Sequence, residues 1–229
     1  MLNFQQKGLD LENFSLVLKK CPLFENIDDD ELKRMLVCLG SRIAEYDKKQ
    51  VIFSEGSAAK YLGIMLSGTA HIEQVDYYGN RSLIDTVGNS DVFAEAFACA
   101  EVEHLPLDVV ADTPSKVMLI DCSHILHTCH NNCAHHQQLI YNLMRDIAEK
   151  TIVYHQKIDV TSKRTTRDKL LAYLTHMSKK FGKKSFDIPF DRQELADYLE
   201  VDRSGLSAEI SKMKTDGIID NKKNHFELL

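Results

Sequence analysis

The longest uninterrupted apolar run in the 229-residue chain is Tyr61 to Leu66, which includes Gly63. A membrane-spanning helix needs roughly 20 apolar residues, so none is expected. Glycine and proline are sparse, at 10 and 4 residues, which excludes collagen-like and low-complexity sequence. The six cysteines (Cys21, Cys38, Cys99, Cys122, Cys129 and Cys133) are too few for a disulfide framework in a chain of this size. Lys7, Asp10, Glu12, Lys19 and Lys20 interrupt the N-terminal stretch, so no secretion signal is readable and a reducing cytoplasm is the expected compartment. What remains is 44% hydrophobic and 27% charged, the balance of a globular protein with one large domain or two ordinary ones.

The net charge of −6 is unevenly placed. Residues 1–161 hold 14 basic and 23 acidic side chains, whereas residues 162–229 hold 14 and 11. An acidic body joined to a basic end points to a polyanion-binding C-terminus.

Between Gln50 and Ile120 the sequence alternates short β-rich segments with turn residues. Val51–Phe53, Tyr61–Leu66, Thr69–Val75, Ser82–Val87, Asp108–Ala111 and Lys116–Ile120 are expected strands. Glu55-Gly56-Ser57, Ser67-Gly68, Tyr78-Gly79-Asn80 and Gly88-Asn89-Ser90-Asp91 are expected turns. Such spacing makes an antiparallel sandwich or roll. Before it, Asp28 to Glu31 starts a helix whose Leu32, Met35, Leu36 and Leu39 share one face.

After Cys133 the period becomes helical. Written as heptads, Gln137, Met144, Thr151 and Ile158 fall at a, and Ile140, Ile147, Tyr154 and Thr161 fall at d. Leu139 and Leu143 lie beside that seam and can pack on the roll. The stripe fits a parallel homodimer through Ile140, Met144, Ile147, Thr151, Tyr154 and Ile158. The alternative is a helix lying on its own domain's core.

Beyond a hinge at Asp159–Ser162, helices are expected at Leu170–Met177, from Asp191 to about Leu199, and from near Asp202 to Gly217. The last two are close enough for a helix-turn-helix, and Ile218 to Leu228 reads as a hairpin, making it winged. Leu206, Ile210 and Met213 should face inward, leaving Arg203, Ser204, Ser207, Ala208, Ser211 and Lys214 outward. Small outward residues let a helix sit deep in a major groove, and Arg203 could grip guanine by two hydrogen bonds.

Ile52-Phe53-x-Glu55-Gly56, Leu62 to Gly68, Asp91-Val92-Phe93-x-Glu95, the long helix, and Asp191-Arg192-Gln193-Glu194-Leu195-Ala196 through Leu206-Ser207 together resemble the Crp/Fnr family of bacterial transcription regulators. The resemblance implies an α+β protein in three parts: an N-terminal cyclic-nucleotide-binding-like double-stranded β-roll (1–134), a dimerisation helix (135–161) and a C-terminal winged helix-turn-helix (162–229). It implies a homodimer on an inverted repeat of double-stranded DNA, with RNA polymerase and a small-molecule effector as further partners and no catalytic activity. Arg203 and Ser207 match base-reading positions and Arg192 a phosphate-binding one. Ser204, Ser211 and Lys212 complete the expected DNA face, and Lys163, Arg164, Arg167, Lys222 and Lys223 are further phosphate candidates.

The departures from that family are informative. Ala94 stands where cyclic-nucleotide binders carry glycine, and their phosphate-holding Arg-Ser pair falls on Leu105 and Pro106. No Lys or Arg lies between Asn89 and Ser115, so an effector bound near Phe93, Glu95, Leu105 and Pro106 is not expected to be a cyclic nucleotide. Glu200 occupies a turn position that often holds glycine.

The grouped cysteines that hold an iron–sulfur cluster in some relatives are absent, and no cofactor is expected. Cys122, His124, His127, Cys129, His130, Cys133, His135 and His136 could instead sense metal, haem or redox state. A cupin-like metal enzyme is the rival class, resting on His71 and Glu73 alone. A third class keeps the roll but uses the helix-turn-helix only to bind protein.

Overall fold

The computed structural model describes residues 14–78, 81–126 and 134–229. Lys7, Asp10, Glu12, the Gly79-Asn80 turn, and His127, Cys129, His130 and Cys133 lie outside the described residues. The chain forms two compact units, Met1–Ala148 and Glu149–Leu229.

The first unit begins with α1 (Ser15–Lys20), a 3-10 turn at Pro22–Phe24 and α2 (Asp29–Cys38). The Asp28 carboxylate accepts from the Glu31 amide at 3.0 Å, and Asp29, Asp30 and Glu31 put negative charge on the positive end of α2. Leu32, Met35 and Leu36 are its buried face.

The roll follows as β1 (Arg42–Tyr46), β2 (Val51–Phe53), β3 (Tyr61–Ser67), β4 (Ala70–Val75), β5 (Arg81–Val87), β6 (Val92–Phe93), α3 (Glu95–Cys99), β7 (Asp108–Ala111) and β8 (Ser115–Asp121). Two antiparallel sheets are ordered β1-β8-β3-β6 and β2-β7-β4-β5. The apolar run in β3 is explained by cover on both faces. Leu62, Ile64 and Leu66 join a core with Leu18, Leu36, Met118, Ile120, Leu139 and Leu143. Met65 points the other way, into a core with Ile52, Phe93, Val109 and Val117.

Besides α1 and the 3-10 turn, the elements of this unit that were not expected include β1, β6 and α3. In β1, Arg42 and Glu45 hide the alternation, although the strand pairs with β8 from Arg42↔Leu119 to Tyr46↔Ser115. Strand β6 is too short to carry a pattern, and so is α3. After β8 come α4 (Cys122–Leu126) and the 28-residue α5 (Ala134–Thr161).

The second unit contains the end of α5, then α6 (Thr166–Phe181), β9 (Ser185–Asp187), α7 (Arg192–Leu199), α8 (Arg203–Thr215), β10 (Ile219–Lys222) and β11 (His225–Leu228). Thr165 caps α6, and Gly182 ends it at φ 66°. The expected hairpin is present, and β9 adds a third strand through Phe226↔Phe186, giving the order β10-β11-β9. Val160, Leu174, Leu195, Leu206, Ile210 and Phe226 are among the residues that close one core. No described helix is long and apolar enough to cross a membrane.

Candidate nucleic-acid interface and effector turn

Helix α7 starts with a reciprocal cap. Asp191 Oδ1 accepts from the Gln193 and Glu194 amides at 2.7 and 2.9 Å, and Glu194 Oε2 accepts from the Asp191 amide at 2.7 Å. The helix ends at Glu200, whose φ of 52° and ψ of 56° are left-handed, so this turn is made without the usual glycine. Asp202 then caps α8, accepting from the Gly205 amide at 2.9 Å and the Ser204 hydroxyl at 2.5 Å.

Leu206, Ile210 and Met213 are buried, which turns Arg203, Ser204, Ser207, Ala208, Ser211 and Lys212 outward, all exposed. Among the described residues Arg203 and Lys212 form no ion pair. Lys214 is also exposed but lies 2.5 Å from Asp220. Ser207 Oγ donates to the Arg203 carbonyl and Ser211 Oγ to the Ser207 carbonyl, both at 3.0 Å. With their protons held by the helix, these hydroxyls present acceptor lone pairs outward, suited to a cytosine or adenine amino group.

Arg192 is half-buried, its guanidinium 5.9 Å from the Phe226 ring. Its Nη1 is buried without a hydrogen-bond partner. Burial, and then the charge of Arg203, push its pKa below the usual arginine value. A phosphate at the α7 N-terminus would satisfy both the stranded N–H and the helix dipole. A cleft of about 470 Å³ opens beside it, reaching Asp191, Lys223 and Asn224 of the wing turn.

Arg167 is engaged elsewhere. Its Nε donates to Glu209 and its Nη2 to Asp216, each at 2.6 Å, bracing α8 against α6. Lys163 is likewise 2.7 Å from Asp159. Arg164, Lys222 and Lys223 are exposed.

In the first unit Phe93 is buried and tilted against Phe53, with ring centroids 5.6 Å apart. Ala94 adopts φ 61° and ψ 7°, and Glu95 behind it is buried. Leu105 is buried too, with its amide donating to Ser57 and its carbonyl accepting from Gly56, both at 2.8 Å. Pro106 is exposed, so it does not join Phe93, Glu95 and Leu105 in the interior.

On α5 the residues expected at a dimer seam divide. Ile140 and Ile147 pack with Leu139 and Leu143 against the first unit's own core. Met144, Thr151, Tyr154 and Ile158 are exposed. Because 100° per residue carries Ile140 and Ile147 round to the buried side, the exposed row runs Tyr141, Met144, Ala148, Thr151, His155, Ile158.

The described members of the Cys/His run have local partners. His124 Nδ1 lies 3.0 Å from the Leu39 carbonyl and His136 Nε2 lies 2.7 Å from the Ile125 carbonyl. His135 Nε2 is 3.8 Å from Glu31. His71 stands between Asp112 at 2.7 Å and Glu73 at 3.3 Å, so carboxylates occupy both ring nitrogens. Among the described residues no group of three or more His, Cys, Asp or Glu side chains is placed to hold a metal ion.

Residues 43–132 match the cyclic nucleotide-binding domain family, and residues 168–229 match the Crp-like helix-turn-helix domain family. No curated protein matches the chain significantly. Among solved structures, the Thermus thermophilus catabolite activator protein is 18% identical over 91% of this chain and 93% of its own, with a TM-score of 0.54. The c-di-GMP-responsive global regulator CLP of Xanthomonas campestris is 16% identical over 88% and 99%, with a TM-score of 0.55. OCPA-complexed CprK is 11% identical over 86% and 88%, with a TM-score of 0.60. The architecture is therefore shared along most of the chain.

Proposed function

From a chain that belongs to the Crp/Fnr family of transcriptional regulators, we propose a homodimer that reads an inverted repeat of double-stranded DNA with one α8 per subunit. The observation that carries this is the exposed face of α8, whose Arg203 and Lys212 have no ion pair among the described residues. Arg203, at the helix start, reads a guanine. Ser204, Ser207 and Ser211 approach base edges, and Lys212 and Arg192 hold phosphates. Residues 1–134 sense, 135–161 dimerise and 162–229 bind DNA, in the cytoplasm and in contact with RNA polymerase.

The effector is a small molecule other than a cyclic nucleotide. Leu105 fills the place of the phosphate-holding arginine, and buried Glu95 would repel the phosphate. CLP responds to c-di-GMP and CprK is complexed with OCPA, so proteins of this shape accept different ligands.

Selection of bound sequences from random duplex DNA tests the reading. The expected site is an inverted repeat with half-sites about 34–36 Å apart, centre to centre. A selected site without inverted symmetry, or no salt-sensitive binding, would overturn it. Calorimetry should detect no micromolar affinity for cyclic AMP or cyclic GMP.

A further inference from the structure

Two cysteines far apart in sequence meet in the first unit. Cys99, the last residue of α3, has its Sγ 3.0 Å from Sγ of Cys122, the first residue of α4. Cys122 is buried and Cys99 is half-buried, so Cys99 is the more exposed residue of the pair. The Cys122 amide donates to the Lys60 carbonyl at 3.1 Å, fixing the buried cysteine to the chain before β3. We propose that Cys99 and Cys122 form a reversible thiol–disulfide site, with Cys99 as the peroxide-reactive sulfur and Cys122 as the resolving one.

The chemistry balances with hydrogen peroxide as oxidant. The Cys99 thiolate attacks one peroxide oxygen, the O–O bond breaks, and hydroxide leaves, giving a sulfenic acid. Cys122 then attacks that sulfur, the S–O bond breaks, and water departs with the thiol proton as the disulfide forms. The two sulfurs lose two electrons in total, and peroxide gains them. The hydrogen bond from Cys122 lowers the Cys99 pKa, against burial and Glu95. That same bond, with burial, raises Cys122. Both effects favour the thiolate on Cys99, the more exposed residue of the pair and the one the first step uses.

The location gives the bond an effect. Helix α3 begins at Glu95, directly after left-handed Ala94, so closing the sulfurs from 3.0 Å to a bond of about 2.05 Å draws the effector turn toward α4. This does not depend on the DNA-binding reading.

The test treats the full reduced chain with hydrogen peroxide, alkylates remaining thiols and maps peptides without reduction. A Cys99–Cys122 linked peptide, reversed by dithiothreitol, is expected, with loss of two hydrogens per chain. Dimedone should label Cys99 in the Cys122→Ser variant, while Cys122 in Cys99→Ser should stay unlabelled. Amide exchange over Glu95–Cys99 should slow on oxidation, and unchanged exchange would overturn the link to the turn. Both thiols alkylated after peroxide treatment, or oxidation confined to exposed Cys38, would overturn the site. The wild-type peptide map decides this even if a variant does not fold.

Discussion

Gly63 lies so close to the Phe93 ring that a Cβ on it would stand 2.3 Å from Phe93 Cζ. The two are register partners between β3 and β6, so the bare backbone of one strand makes room for the other's ring. Gly63→Ala should cost about 1–3 kcal/mol by overpacking, read as a lower urea midpoint. Adding Phe93→Leu should restore part of that loss, because the two changes meet at one point of packing.

Ala94 holds a left-handed conformation that glycine adopts without a Cβ clash. Ala94→Gly should therefore raise stability by up to about 1 kcal/mol, the clash relief being partly offset by glycine's greater freedom when unfolded. It should leave cyclic AMP binding undetectable by calorimetry. Glycine supplies no positive charge for the phosphate, and Leu105 still fills the arginine position.

Most of the roll was legible because turn residues separate β-branched runs, and Asp28 and Asp202 announce their helices as caps. Phe93, Glu95 and Arg203 could be singled out by resemblance, but their surroundings could not. Nothing local marks Gly63 as the neighbour of Phe93, Arg167 as the partner of Glu209 and Asp216, or Cys99 as the neighbour of Cys122. Each of these pairings spans a long stretch of sequence and is set by sheet register or helix packing. The heptads found the long helix, but periodicity does not say which side the domain's own core will take, and Ile140 and Ile147 are partly buried against that core.

Tyr173 illustrates a cost inside the second unit. Its hydroxyl is buried without a partner, and its ring packs against Phe190 and Tyr198 at centroid distances of 6.0 and 5.2 Å. Burial, then the charge of Tyr198, raise its pKa above that of an ordinary tyrosine. The folded state thus holds the proton more tightly than the unfolded chain does. The associated stability is intact below about pH 10, where unfolded tyrosine titrates, and is lost as pH rises from there toward the higher folded value. Tyr173→Phe should be neutral to about 1 kcal/mol stabilising at pH 7. Above pH 10 its melting temperature should fall less than that of the wild type.

Arg203 and Lys212, two of the cations of α8, should fail differently on removal. Arg203→Ala should cost about 1–3 kcal/mol on the selected site and relax preference at one guanine per half-site, with little change on random DNA. Lys212→Ala should weaken all sequences alike and reduce the salt slope by about one unit for each phosphate it no longer neutralises. Arg192→Ala should follow Lys212→Ala in its salt slope. Equal loss on every sequence for Arg203→Ala would instead place that side chain on the phosphate backbone.

The dimer seam can be located by charge. Met144 and Ile158 are 67% and 62% exposed in the single chain, on the row that a second α5 would cover. In a two-fold dimer each substitution enters the interface twice, so Met144→Asp or Ile158→Asp should weaken self-association by about 100-fold, roughly 2.7 kcal/mol. The folded chain should keep its urea midpoint under conditions where it is monomeric. Ile147→Asp should behave in the opposite manner, lowering the midpoint because Ile147 packs on the first unit's core. Sedimentation at micromolar concentration separates the two effects. If Met144→Asp and Ile158→Asp remain dimeric while Ile147→Asp dissociates without loss of stability, the subunits meet along the d positions and not along the a row that Met144 and Ile158 share, and Ile147 must leave its own core to reach the partner.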